Sequence, residues 1–341
     1  VKFFAARTWA PVLFLVVLTP ALSICLAKDK PVTVGYQLIY NPWKAAMASG
    51  EFSKVTGREV RFRLFDTPAK VLSAMASGQV QIGVLGSTGV TTAFASGLDV
   101  ELFWILEGIG DAEALVVRNG SGIKKGADLV GKKLGVPFVS TTHFHTLVAL
   151  DHFGVNPKSL RIINMNPNSI AAAWLRGDID AAFVWNPALG RILETGEVLI
   201  TSGELGKLGK PTFDGLVVRT EFAAENDDFM LNFVKVLAKT DKSYRETPDQ
   251  WGADSKQVAA IVEKVGGNPE DVPDVLSSYI FPTPKQQAGC EWLGCGPEGG
   301  AAKAILATAY FLKDQKKVPK VLDDYSKFIN PRWVELLAKG D

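Results

Sequence analysis

Three hydroxyl residues and an imidazole stand side by side at one point of the chain, Ser140, Thr141, Thr142 and His143. They fall where the apolar stretch "KKLGVPFV" gives way to an amphipathic pattern with Phe144, Leu147, Val148 and Phe153 on one face. A strand hands over to a helix here, and the donors crowd the helix N-terminus. One hydroxyl is enough to cap the first unpaired backbone N–H groups. A helix start also carries partial positive charge and aims N–H groups outward, which suits a bound anion. The segment alone leaves both readings open.

A second hydroxyl pair, Ser87 and Thr88 in "LGST", also ends an apolar stretch and opens a helical pattern. Two such helix starts facing each other across a cleft would hold one anion from both sides. Two further stretch ends bring other chemistry. "FVWNP" supplies Trp185 and "PTFDG" supplies Asp214, with core packing and a turn as their ordinary alternatives. "GDAEALVV" adds Asp111 and Glu113, or a solvated turn.

The histidines His143, His145 and His152 all lie in the opening segment. His145 and His152 can share a helix face, but two ligands without a carboxylate partner fall short of a metal centre. Neither a metal nor a cofactor is expected. The sequence shows no nucleophile elbow, no phosphate-binding glycine loop and no dinucleotide fingerprint, which argues against an enzyme.

The elements that must position these residues alternate in type. "VTVGYQ" reads as a strand, and "NPWKAAMASGEFSKVTG" as one helix with Asn41 at its cap and Gly57 after its end. Strand "EVRFRLFD", helix "PAKVLSAMASG", strand "QVQIGVLG", helix "TGVTTAFASG" and strand "VELFWIL" follow. Such alternation predicts an α/β protein with mainly parallel sheets, whose ligands bind beyond the carboxyl ends of the strands. "MASGQVQIGVLGS" is echoed by "WLRGDIDAAFVWN", pairing Gly78 with Gly177 and Ser87 with Asn186. The echo suggests two similar lobes, each offering a strand tip to a shared cleft. From about Glu221 onward the patterns are mostly helical.

The 341 residues are 47% apolar and 21% charged, as in a globular protein of one or two domains. Lys2 and Arg7 precede the apolar run "WAPVLFLVVLTPALSICLA". This layout predicts a signal peptide over residues 1–27, cleaved after Ala27, with a membrane anchor or a lipid on Cys25 as alternatives. Removing it leaves 35 basic against 36 acidic residues, a balance that gives no reason to expect nucleic acid or an anionic membrane surface as a partner. Cys290 and Cys295 in "CEWLGC" suit an oxidising compartment and are expected to form a local disulfide, with metal binding the competing reading.

The motifs "EALVV", "VSTTHF", "WLRGDIDAAFVWNPA" and "PTFDGLVVR" occur in this order. They resemble the periplasmic substrate-binding proteins of ABC importers that take up taurine, aliphatic sulfonates and nitrate, over about residues 31–333. The resemblance implies a two-lobed α/β fold of the type II periplasmic binding protein class, each lobe a mainly parallel sheet flanked by helices. It places lobe I at residues 31–117 and 216–335, and lobe II at 118–215. It implies a ligand site built from Gln37, Ser87, Thr88, Glu113, Ser140, Thr141, Thr142, His143, Trp185 and Asp214. The implied ligand is taurine or a related small sulfonate. The implied partner is an inner-membrane permease, and the protein a periplasmic monomer.

Two departures stand out. "YQLIYNPWK" leaves the family pattern after Gln37, and Asp111 stands where a neutral polar residue is expected, so it is a candidate for altering ligand choice. Taurine's sulfonate would meet helix-end N–H groups and hydroxyls, its ammonium Asp214 and Glu113, and Trp185 would add a wall. The alternatives are an alkanesulfonate without an amine, which an unpaired Asp214 would repel, and an enzyme on the same fold, which pyrimidine and porphyrin synthesis also use.

Overall fold

The computed structural model describes residues 1–3 and 30–340. The apolar run, Cys25 and the expected cleavage point after Ala27 lie outside the described residues. Among those described, no helix is long and apolar enough to cross a membrane.

Ten strands form two five-stranded sheets. The first holds β1 (Val32–Tyr36), β2 (Val60–Leu64), β3 (Ile82–Gly86), β4 (Val100–Gly108) and β10 (Phe213–Arg219), in the order β2-β1-β3-β10-β4. The second holds β5 (Glu113–Arg118), β6 (Lys133–Val136), β7 (Arg161–Asn164), β8 (Ala181–Trp185) and β9 (Gly196–Thr201), in the order β7-β6-β8-β5-β9. The two orders are the same plan. In each, a central strand (β3 or β8) has two parallel neighbours on one side and an antiparallel pair on the other. The echo between Met75–Ser87 and Trp174–Asn186 is this shared central strand. Gly78 and Gly177 each follow a helix at φ +76° and +79°, a conformation that costs glycine little.

The sheets are mainly parallel, as alternation predicts, each with one strand running against the other four. β10 arrives in the first sheet from the second lobe, and β5 arrives in the second from the first, each against the direction of the central strand. A strand that enters by crossing between sheets is not bound by the βαβ rule that makes its neighbours parallel. The crossings occupy residues 109–112 and 202–212, so β5 belongs wholly to the second sheet and β10 wholly to the first. Boundaries at 117 and 215 would cut both strands.

The segment 41–57 forms two helices, Trp43–Ala48 and Glu51–Thr56, because Gly50 takes a left-handed conformation at φ +71° between them. Asn41 caps neither helix; its side chain turns inward. Seven α-helices follow β10, among them Asp227–Glu246 and Gly300–Asp314. Their apolar faces pack into the first lobe, where Phe103 meets Phe233 and Trp333 edge to face and Phe52 lies tilted against Phe233. Cys290 and Cys295 are bonded, with Cα atoms 5.0 Å apart. Within their loop Trp292 lies against Gly108 at the end of β4 and edge-on to Phe213 at the start of β10.

Candidate ligand-binding site

A cavity with about 240 Å³ of space between its atoms, counting the part open to solvent, lies between the sheets. Gln37, Ile39, Pro68, Gly86 and Asp214 line it from the first lobe, and Glu113, Ser140, Thr141 and Trp185 from the second. Strand register brings these residues together. Asp214 pairs with Gly86 on one side and Glu107 on the other, and Glu113 pairs with Trp185. Directly opposed residues project to the same face of a sheet, which is why Glu107 meets Asp214. The lobes approach closely here. A Cβ added to Gly86 would lie 2.7 Å from Thr141 Cγ2, and the Trp185 indole N–H donates to the Leu38 carbonyl at 3.0 Å.

The cavity is rich in carboxyls from both lobes. Burial lifts Glu107 well above the ordinary range, the neighbouring Asp214 adds to this, and Glu107 is the protonated member of the pair. Burial also raises Asp214, but only to about 6, because the hydrogen bond from Glu107 and the charge of Lys44 favour its ionised form. Asn41 donates to Glu107 at 3.2 Å. Lys44 is fully buried with its Nζ 4.1 Å from the Trp43 ring centroid, and burial pushes its ammonium down to about 7 against the pull of Glu107 and Asp214. Burial lifts Glu113 to about 8, helped by Asp214 and opposed by hydrogen bonds from Thr141 at 2.6 Å and Ser202 at 3.0 Å.

Both lobes also offer donors. The helix Ser87–Ala95 starts at the cavity without a side-chain cap. Ser87 Oγ and Thr88 Oγ1 are buried and have no hydrogen-bond partner among the described residues, and neither has Gln37 Oε1. Buried hydroxyls left without a partner are costly, so a site that supplies an acceptor recovers that cost. The Thr141–His152 helix starts on the opposite side. Helix geometry leaves its first N–H groups without intrahelical partners.

Comparison with known proteins fits this arrangement. A model of the family described as NMT1/THI5 like matches residues 52–251. The taurine-binding periplasmic protein of Escherichia coli (strain K12) is 40% identical over 305 residues, covering 89% of this chain and 92% of that protein. The chain belongs to the NMT1/THI5-like family. Among solved structures, the alkanesulfonate-binding protein of Xanthomonas axonopodis pv. citri bound to MOPS superposes with a TM-score of 0.74 at 19% identity, over 89% of this chain and 99% of that one. The periplasmic aliphatic sulphonate binding protein of Escherichia coli gives 0.68 at 20% identity, over 86% and 96%. At these identities the two structures show the shared fold: two sheets flanked by helices, as in periplasmic binding proteins.

In this member of the NMT1/THI5-like family the expected residues divide into three groups. Gln37, Glu113, Ser140, Thr141, Trp185 and Asp214 line the cavity, and Ser87 and Thr88 lie at the helix start beside it. Ser140 is also the helix cap, accepting from the His143 backbone at 3.1 Å while its own proton goes to the Pro137 carbonyl. Thr142 and His143 do not line it. The Thr142 hydroxyl bonds Ser140 Oγ at 2.8 Å, and the His143 ring stacks on Phe138 with centroids 4.3 Å apart. Capping thus accounts for Ser140 and Thr142, and the unpartnered hydroxyls lie on the opposite lobe. Asp111 is exposed and accepts from Thr201 at 2.5 Å, away from the cavity, so it does not reach a ligand there.

Sequence reasoning did not single out Lys44, Glu107 or Ser202. Glu107 was visible as an acid at the end of an apolar strand, "FWILEG", and Lys44 lies in the stretch that departs from the family pattern. Nothing in the local sequence marks Ser202. His145 is no metal ligand; its ring is tied to Ser202 and to the Lys210 carbonyl.

Proposed function

We propose that this chain captures taurine in the periplasm and delivers it, as a monomer, to the permease of an ABC importer. The observation that carries the reading is the mixed lining of the cavity, in which carboxyls from Asp214 and Glu113 stand beside unpartnered hydroxyls and two helix N-termini. A zwitterion with a sulfonate and an ammonium a short chain apart matches both kinds of group. A sulfonate needs donors rather than a counter-ion, and Ser87, Thr88 and the first N–H groups of the Thr141–His152 helix supply them. The ammonium needs acceptors, and Asp214 is the ionised one. The name of the 40% identical relative supports this ligand. The fold supports a closing two-lobed trap.

Calorimetry with taurine and ethanesulfonate tests the reading. Asp214→Asn should weaken taurine by about 1.5–3 kcal/mol, roughly tenfold to a hundredfold, and should not weaken ethanesulfonate, which gains from the loss of a repelling carboxylate. Ser87→Ala should weaken both ligands alike, because both present the same sulfonate. Equal losses for both ligands with Asp214→Asn would reduce Asp214 to a structural residue. Tighter binding of ethanesulfonate than of taurine to the unaltered protein would favour an alkanesulfonate as the ligand.

A further inference from the structure

Glu113, Ser202 and His145 make a hydrogen-bonded chain from the cavity into the second lobe, and its hydrogens can be counted. The Lys210 carbonyl can only accept, so its 2.8 Å contact puts a hydrogen on His145 Nε2. The 2.7 Å contact between His145 Nδ1 and Ser202 Oγ needs one hydrogen, and so does the 3.0 Å contact between Ser202 Oγ and Glu113 Oε2. The serine hydroxyl owns only one. The second hydrogen belongs to a protonated Glu113 or to an imidazolium His145. A carboxylate next to a neutral imidazole would leave one contact without a hydrogen. All three side chains are buried.

We infer that Glu113, Ser202 and His145 form a proton relay that adjusts the charge of the cavity to its ligand. The proton rests on Glu113 in the ligand-free protein and on His145 when an ammonium reaches Glu113 Oε1. This rests on the zwitterion reading of the ligand. In the transfer the Glu113 Oε2–H bond breaks as Ser202 Oγ takes that proton. The original Ser202 O–H bond breaks as His145 Nδ1 takes its proton. The products are a carboxylate, an intact serine and an imidazolium that still donates from Nε2 to Lys210, and no proton enters or leaves.

The surroundings set the resting position. Burial lifts Glu113 to about 8 and lowers His145 to about 4. Asp214 on β10 is the charged group that faces Glu113, with Glu107 and Lys44 behind it, and it opposes a second negative charge. His145 is flanked by the Phe144 and Phe183 rings, and Lys210 reaches it through its main chain. An ammonium placed between Asp214 and Glu113 replaces their repulsion with attraction, which favours the ionised Glu113.

Nitrogen-15 NMR of the His145 ring in the full chain tests the relay. At neutral pH the ligand-free and ethanesulfonate-saturated proteins should show a neutral ring with hydrogen on Nε2 alone. Taurine saturation should protonate both nitrogens, and Ser202→Ala should abolish that change. A neutral His145 in protein shown by calorimetry to be saturated with taurine overturns the relay and leaves the ligand reading standing. An absence of binding heat with taurine defeats the ligand reading instead. The ligand-free protein then decides whether the chain stores the proton: its infrared spectrum should hold a protonated-carboxyl stretch that Glu113→Gln removes. A missing band with a neutral His145 overturns the stored proton.

Discussion

Glu113 illustrates how burial turns a common side chain into a conditional one. Its carboxyl is raised to about 8, so the folded protein keeps a proton there that the unfolded chain has already released. The folded state therefore binds more protons than the unfolded state between the ordinary glutamate range and about pH 8. Stability contributed at this position falls as pH climbs through that window and levels off above it. Glu113→Gln keeps a donor towards Ser202 and an acceptor for Thr141 but cannot ionise. We expect the variant to gain more in melting temperature at pH 8 than at pH 5, measured by thermal unfolding without ligand. Equal changes at both pH values would mean that Glu113 is ionised throughout. Thr141, Trp185 and Asp214, which line the cavity, stood out in the sequence because each is a polar or amphipathic group just after an apolar run or at its edge, whereas Gln37 came only from the family resemblance. Glu107, Lys44 and Ser202 were not. They join the site through strand register and packing between residues far apart in the chain, as Glu107 does opposite Asp214.

At the level of elements, the shared sheet plan places a strand tip from each lobe at the cavity, and Gly86 is one place where the lobes come close. A methyl group there would meet Thr141 Cγ2 at 2.7 Å across the cleft and Asp214 Oδ1 at 3.0 Å within its own lobe. Overpacking of this kind costs about 1–3 kcal/mol. Because Thr141 belongs to the opposite lobe, most of that cost falls on the closed arrangement. Gly86→Ala should therefore weaken taurine binding by roughly tenfold to a hundredfold while lowering the ligand-free melting temperature only slightly. A large drop in melting temperature with unchanged affinity would place the clash inside the first lobe. The strands and helices up to β4 followed from alternating apolar periodicity, since each buries a face of its own. The break at Gly50 and the antiparallel strands β5 and β10 were hidden. A left-handed turn inside an apolar pattern and a strand's direction in its sheet leave no trace in periodicity.

Over the whole molecule, the cleft is held by contacts that touch no ligand. Phe311, in the helix Gly300–Asp314, meets Phe144 of the second lobe edge to face with centroids 5.3 Å apart. Such a pair is worth about 0.5–1.5 kcal/mol beyond its buried area. Phe311→Ala should weaken taurine and ethanesulfonate by the same several-fold factor, seen in calorimetry, because it penalises closure and not recognition. A loss confined to one ligand would show that the helix shapes the cavity directly. The two-lobed plan was legible from the internal echo, whereas the crossing points were not, since strands that switch sheets look like any others. Those crossings end at Glu113 and just before Asp214, so these two carboxyl groups sit where the chain passes between the lobes. Rotation about a pivot moves near points little and distant points far. The carboxyl pair is therefore nearly set before the lobes close. We expect capture of a zwitterion to have an order in time, the amine being met first and governing how fast ligand is taken, and the helix-start donors governing how long it is kept. In stopped-flow measurements Asp214→Asn should slow association with taurine, and Ser87→Ala should speed its release.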